Sequence, residues 1–234
     1  MRKTLLACGI VSSLLYAAMN VFVAAQWSAY SSISQTVSEL SAIDSPTRGL
    51  WVPLGFVWGA LLLAFGYGVW LTATAGPPRL TEGSAEPAPR TNSRPLQIAA
   101  ALLMIYAAFG FFWPPMHLRP VLAAGGGTLT DTLHIVWTAI SAVLVMLAMG
   151  FAAAFFGTPF RVYSIVTIVA MFALGWLTGT YAPAIQANLP TPWVGVWERV
   201  LIAFEMLWFM ALAAMLLRAP RAASTPHRRE AFAA

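Results

Sequence analysis

Six long apolar runs, separated by polar segments, dominate the pattern along this chain of 234 residues. A hydrocarbon layer of about 30 Å takes roughly 20 helical residues to cross, and each run has about that length. Continuous apolar runs indicate helices, because a helix satisfies its backbone hydrogen bonds within one segment. The pattern therefore predicts membrane spans over residues 4–25, 50–74, 96–113, 132–156, 162–181 and 193–217.

Composition places the chain in the membrane class. It is 59% hydrophobic and only 9% charged, whereas a soluble domain carries roughly a quarter charged residues. We expect an all-α integral membrane protein, built as a single six-transmembrane-helix bundle over residues 1–217, with membrane lipids as its partners. The net charge is +5, but the basic residues are spread over loops and tails, so nucleic acid is not an expected partner. The single cysteine, Cys8, excludes an intramolecular disulfide.

Arginine and lysine are distributed unevenly about these spans. Of the 13 basic residues, ten fall on the side of the N-terminus and three, Arg48, Arg119 and Arg199, on the other. Because basic residues are enriched in cytoplasmic loops, both termini are predicted to be cytoplasmic. The loop over residues 76–95 and the tail over residues 218–234 are rich in small, polar or charged residues, and we expect both to be flexible and cytoplasmic.

The first loop between spans, SSISQTVSELSAIDSPTR at residues 31–48, is unusually elaborate. Thr36 and Glu39 fit the capping-box pattern, and Pro46 stops a helix before the second span. Between them apolar side chains recur at helical spacing, which predicts a short amphipathic helix on the extracytoplasmic side. It either only links two spans, or it covers a cavity into which Glu39 and the serines point.

Two further extracytoplasmic segments carry histidines. In WPPMHLRP (residues 113–120) two prolines end the third span, so His117 and Arg119 are expected at the level of the lipid headgroups. In GGGTLTDTLHIVW (residues 125–137) Asp131 suits the N-cap of the fourth span, and His134 lies three residues on, along the same face. An acid in this position can orient an imidazole or only cap its helix.

A zinc site would need His117, His134 and carboxylates from separate helices. No pair of histidines stands at the spacing of metal ligands, so neither a metal nor another cofactor is predicted.

The sixth span contains two glutamates on nearly the same face, Glu198 and Glu205, and Arg199 points elsewhere. Glu205 lies near the middle of the span, where an unpaired charged carboxylate costs several kcal/mol. It is then a protonated structural group, or it is paired inside the bundle, or it lines water. Such groups are functional hypotheses by default.

Four segments carry a family resemblance: ISQTVSELSAIDSPTRGLW, WPPMHLR, LTDTLHIVW and TPWVGVWER. They lie between about residue 31 and about residue 217, and they resemble the bacterial membrane family known as domain of unknown function 998. The resemblance implies a multi-pass protein of the bacterial cytoplasmic (inner) membrane without an assigned activity. A fainter similarity is to the DRAM and FRAG-type six-span proteins of eukaryotes, which implies, by analogy, the handling of lipids and membranes.

Three functions remain open at this point. The first is the binding of a lipid or small amphiphile in a polar cavity on the extracytoplasmic side, with ligand contacts from Glu39, Arg48, His117, Asp131, His134, Glu198, Arg199 and Glu205. The second is an intramembrane lipid hydrolase or transferase, either metal-assisted or with Ser38 as nucleophile, His134 as base and Asp131 as orienting acid. The third is a non-catalytic assembly subunit.

Overall fold

A computed structural model describes residues 1–75 and 93–218 of the chain, and within these ranges every regular element is helical. The all-α prediction is therefore confirmed for the described part. The predicted flexible loop lies almost wholly in residues 76–92, and the predicted tail in residues 219–234, so both predictions fall outside the described residues.

Six of the helices are long, and each coincides with a predicted span, with ends shifted by at most four residues. They are α1 (Arg2–Phe22), α2 (Arg48–Thr74), α3 (Arg94–Gly110), α5 (Leu129–Phe155), α6 (Thr158–Gly179) and α8 (Val194–Arg218). Two short helices, α4 (Arg119–Ala123) and α7 (Ala182–Gln186), and two 3-10 turns, Ala24–Gln26 and Val37–Ser41, lie between them.

Five of the long helices are long and apolar enough to cross a membrane. The exception, α3, has 17 residues, which corresponds to about 25 Å of helix. It ends at Gly110, three residues before the predicted end of this span. The chain then continues without helix through Trp113 and Pro114, as expected where prolines remove backbone donors and break the helix.

The long helices form a closed ring in which α1 contacts α2, α2 contacts α3, α3 contacts α5, α5 contacts α6, and α6 and α1 both contact α8. Apolar side chains such as Phe65, Trp208 and Phe209 fill the interior and are fully buried. Small residues allow the closest approaches: a Cβ at Gly68 would lie 2.9 Å from Leu5 Cβ. Close helix contact through glycine is a common way to associate helices in lipid.

Three inter-helix segments meet at one end of this ring. They comprise residues 23–47, 111–128 and 180–193, and with the adjoining helix ends they are called the polar end. Ile43 N donates to Met116 O at 2.7 Å, and Gly195 N donates to Ile33 O at 3.0 Å. All candidate site residues except Glu205 lie at this end, which brings together segments that are distant in the sequence.

The first loop differs from the amphipathic helix predicted for it. Only Val37–Ser41 is helical, as a 3-10 turn, although the capping box between Thr36 and Glu39 is present as predicted. Val37 and Leu40 are buried, whereas Ile33 is exposed. The physical reason is that carbonyl groups of this loop accept hydrogen bonds from arginines of other segments, which replace the bonds that a longer helix would make.

Candidate functional site

A buried ion pair between Glu39 and Arg119 holds the centre of the polar end. Arg119 Nε donates to Glu39 Oε1 at 2.7 Å, and Nη2 donates to Oε2 at 2.8 Å, a bidentate geometry. The carboxylate also accepts from Gln35 Nε2 at 3.0 Å and Thr36 N at 2.8 Å. Bidentate arginine–carboxylate pairs are among the strongest hydrogen-bonded contacts in proteins. Both side chains are buried, so Glu39 does not point into an open cavity.

The same arginine joins all three segments of the polar end. Its Nη1 donates to Thr191 Oγ1 at 2.6 Å, and its Nη2 also donates to Ser34 O at 3.0 Å. Thr191 in turn donates to Ser34 O at 2.7 Å. Arg119 is buried, so its guanidinium contacts groups of the protein; its predicted depth, at the level of the lipid headgroups, stays a prediction. Neither Arg119 nor Thr191 was among the predicted site residues.

Arg199 fastens the N-terminal end of α8 to the first loop. Its Nη1 donates to Ser32 O at 2.9 Å, and its Nη2 donates to the Tyr30 hydroxyl at 2.6 Å. Tyr30 donates onward to Thr36 O at 2.7 Å. Burial raises the pKa of the Tyr30 phenol to about 12, against the opposing effect of Arg199, so the phenol stays neutral and can donate at physiological pH.

The side chains of Glu198 and Arg48 also make hydrogen bonds to the backbone of the first loop. A Glu198 carboxylate oxygen accepts a hydrogen bond from the backbone N–H of Val37, and the Arg48 guanidinium donates to the carbonyl of Ser41. With Glu39 and Arg199, four of the predicted ligand-binding residues thus make hydrogen bonds within the protein. None of these four side chains lines the open cleft beside Asp131, and a cavity that they share with His117 stays a prediction.

Asp131 is paired with His117 and does not contact His134. Its Oδ1 accepts from His117 N at 2.7 Å, and its Oδ2 lies 2.9 Å from His117 Nδ1. Asp131 was predicted as the N-cap of α5, and this is wrong: the N-cap is Thr128, three residues earlier. Asp131 is the acid of the capping box and accepts from Thr128 N at 2.8 Å. Negative charge in the first turn stabilises a helix.

His134 is buried one turn further along α5 and makes three polar contacts. Its Nε2 lies 3.1 Å from Ser38 Oγ, and its Nδ1 lies 2.8 Å from Pro114 O and 3.2 Å from Trp113 Nε1. The predicted Ser38 and His134 therefore meet, although they are 96 positions apart. The predicted orienting acid is replaced by the carbonyl of Pro114.

An open cleft of about 470 Å³ lies beside the pair of Asp131 and His117. It is bounded by α4 and the glycine-rich turn after it, by the first turn of α5, and by α7. Its lining is mixed, with Leu122, Gly125, Gly127, Thr128, Leu129, Asp131, Thr132 and Gln186. Asp131 keeps 15% of its side-chain surface exposed and lines this cleft, and it is paired with His117, which is not part of the lining.

Glu205 lies apart from the polar end, inside the ring of helices. The Glu205 side chain is almost completely buried, and its Oε1 has no hydrogen-bond partner among the described residues. The phenol of Tyr106 lies near the carboxyl group. The side-chain amide of Asn20 donates to Tyr16 O at 3.0 Å. Glu205 is thus a solitary buried acid rather than a member of the polar end.

No group of three or more His, Cys, Asp or Glu side chains within residues 1–75 and 93–218 is placed to hold a metal ion. His117 and His134 contact different partners, Asp131 and Ser38 respectively. The metal-assisted alternative therefore finds no ligand set in this part of the chain.

Comparison of the chain with protein-family models, with curated proteins and with solved structures finds no match. The resemblance to the family of domain of unknown function 998 stays a prediction, and the function has to be argued from the geometry.

Proposed function

We propose that the protein is a six-span protein of the bacterial inner membrane, with both termini in the cytoplasm and the polar end outside. The short helix α3 would complete the set of spans, since it packs between α2 and α5 as a full member of the ring. The charge distribution supports the orientation, because the polar end holds only three of the 13 basic residues.

Cysteine labelling tests this topology. In a Cys8→Ser background, Ser32→Cys at the polar end should react with a membrane-impermeant maleimide in intact cells. Ser84→Cys, in the loop between the second and third predicted spans, should react only after the membrane is permeabilised. Labelling of the second variant in intact cells would contradict the orientation.

We further propose that the protein binds a lipid or small amphiphile in the cleft beside Asp131. The observation that carries this proposal is the mixed lining of the cleft at the end of a bundle of apolar helices. Thr128, Thr132 and Gln186 offer hydroxyl and amide groups to a headgroup, and Leu122 and Leu129 offer apolar surface to the start of a chain. Concave sites in which several polar groups converge beside apolar surface are candidate ligand sites.

The chemistry of the cleft favours a headgroup that donates hydrogen bonds. Its one ionisable lining group is the Asp131 carboxylate, which is paired with the His117 imidazole outside the lining. The guanidinium groups of Arg119 and Arg199 bond to groups of the protein at other positions. A neutral or zwitterionic headgroup with hydroxyl or ammonium donors therefore suits the cleft better than a purely anionic one.

Native mass spectrometry of the full-length protein, released from mild detergent, tests this site. Thr132→Trp places a large side chain in the cleft and should reduce the fraction that retains a lipid mass adduct by at least fivefold. Ile135→Trp is the matched control, since Ile135 is exposed on the same helix but does not line the cleft. Equal lipid retention in both variants would contradict binding in this cleft.

A further inference from the structure

Ser38 and His134 are arranged as a hydroxyl and its general base. The approach of His134 Nδ1 to Pro114 O, at 2.8 Å, is a full hydrogen-bond length. A ring nitrogen and a carbonyl oxygen do not approach this closely with two lone pairs facing each other, so Nδ1 carries the proton. The other nitrogen, Nε2, then has a free lone pair and accepts from the Ser38 hydroxyl at 3.1 Å.

The indole N–H of Trp113 is directed at the same nitrogen, at 3.2 Å, and competes with the Pro114 carbonyl for it, since it would need a lone pair on Nδ1. The carbonyl, which can only accept, is the closer of the two. Because 36% of the surface of Trp113 is exposed, this N–H can find an acceptor outside the protein. The Pro114 carbonyl thus fixes the tautomer of His134, as a hydrogen-bonded second group does for the base of a nucleophilic serine.

Rigid structure holds each member of the pair. His134 projects from the long helix α5, and Pro114 is followed directly by Pro115 in a segment of restricted backbone. Ser38 lies in the 3-10 turn that is capped by Glu39, and Glu39 is itself fixed by Arg119. A nucleophile and its base that are positioned before substrate arrives lose little entropy on reaction.

Ser38 is partly exposed, whereas His134 is buried. An electrophile can therefore reach the hydroxyl while the imidazole behind it is shielded from water. Trp113 beside the pair is exposed, and such tryptophans favour the interface of a membrane. None of Ser38, His134 and Pro114 lines the cleft of the proposed lipid site.

We propose that Ser38 is a nucleophile, activated by His134, that attacks carboxylic esters of membrane lipids. The Ser38 Oγ bonds to the ester carbonyl carbon while its proton passes to His134 Nε2. The carbon–oxygen bond to the alcohol breaks, and the alcohol leaves with that proton, which gives an acyl-serine. Water, or the hydroxyl of a second lipid, then adds to the acyl carbon through His134, and the acid or the new ester departs as Ser38 regains its proton.

A tagged fluorophosphonate with a long alkyl chain tests the nucleophile directly on the full-length protein in membranes. The Ser38 Oγ displaces fluoride from phosphorus, and its proton leaves through His134. The product is a phosphonate ester of the serine, which is stable enough to be isolated. We expect labelling of the wild-type protein, with the adduct located by mass spectrometry on the peptide that contains Ser38. Ser38→Ala should abolish this labelling.

His134→Gln separates the base from a structural role, because an amide can still bond to the Ser38 hydroxyl but does not take up its proton. Labelling should fall at least tenfold while the melting temperature in detergent changes little. Ser32→Ala is the matched control, since Ser32 is an exposed serine of the same loop, and it should label as the wild type does.

Absence of labelling in a folded wild-type protein would overturn the proposal, as would equal labelling of Ser38→Ala. Labelling of His134→Gln at the wild-type rate would also overturn it, because Ser38 would then react without its base. These outcomes do not depend on the lipid cleft, since Thr132→Trp should label normally. The two proposals can therefore fail separately.

Discussion

Glu39 and Glu205 are two buried carboxyl groups in the same protein, yet their surroundings differ completely. Both carboxylate oxygens of Glu39 accept from Arg119, and Gln35 and Thr36 add further donors. Glu205 has the phenol of Tyr106 nearby and one oxygen without a partner among the described residues. Burial alone therefore does not indicate what a carboxyl group does.

The difference lies in the partners that each position can recruit. Glu39 sits where three segments of the polar end meet, so Arg119 reaches it from a distant part of the chain and donors of its own loop, Gln35 and Thr36, complete its shell. Glu205 sits on α8 within the ring, where the neighbouring helices offer few donors. A charged carboxylate is stable at the first position, whereas at the second we expect the neutral acid, because a lone charge in apolar surroundings costs several kcal/mol.

The largest decrease in the free energy of unfolding should come from breaking the ion pair of Glu39 and Arg119. Glu39→Gln removes the charge opposite Arg119 and leaves a buried guanidinium without its counter-ion. Removing one partner of a buried ion pair costs about 3–5 kcal/mol. We expect that decrease in the free energy of unfolding, measured by denaturation in mixed micelles of detergent and sodium dodecyl sulfate.

The double variant Glu39→Leu, Arg119→Met is the control for this prediction. Apolar replacement of both partners of a buried pair is often nearly neutral, so the double variant should be more stable than Glu39→Gln. If Glu39→Gln unfolded like the wild type, Arg119 would not depend on Glu39, and the account of the polar end given above would be wrong.

A smaller effect should come from Gly195, which lets α8 approach the loop that carries Glu39. A Cβ at this position would overlap the carbonyl oxygens of Gln35 and Ser32. Such overpacking costs about 1–3 kcal/mol, so Gly195→Ala should lower the free energy of unfolding by that amount. Gly150→Ala is the control, because no atom lies within 4 Å of its added Cβ; a loss of stability equal to that of Gly195→Ala would count against the loop contact.

The features of the fold and the site that could be predicted from the sequence are those that depend on residues close together in the chain. The long helices were predictable, because the thickness of a bilayer fixes the length of an apolar run. The capping box of Thr36 and Glu39 was predictable, because its partners are three residues apart. Asp131 was placed in the right turn of α5, but the local pattern assigned the cap itself to the wrong residue.

The contacts between segments were not predictable in the same way. Glu39 and Arg119 are 80 positions apart, and nothing local identifies either as the partner of the other. From the sequence, Thr191 is recognisable only as a residue that precedes a helix. Its contact with the carbonyl of Ser34 becomes apparent in the folded structure. One signal was available: only three basic residues fall at the polar end, so a buried acid there had few possible counter-ions.

The smallest effect should come from Glu205, and it tests the comparison from the other side. If Glu205 is the neutral acid, Glu205→Gln replaces one uncharged planar group with another of the same shape. The cost is then limited to a change in hydrogen bonding, about 1 kcal/mol, far below that of Glu39→Gln. The infrared C=O stretch of a protonated carboxylic acid should be present in the wild-type protein and lost in this variant. A loss of stability as large as that of Glu39→Gln, together with no such band, would mean that Glu205 is charged and paired, and that the two buried acids are alike after all.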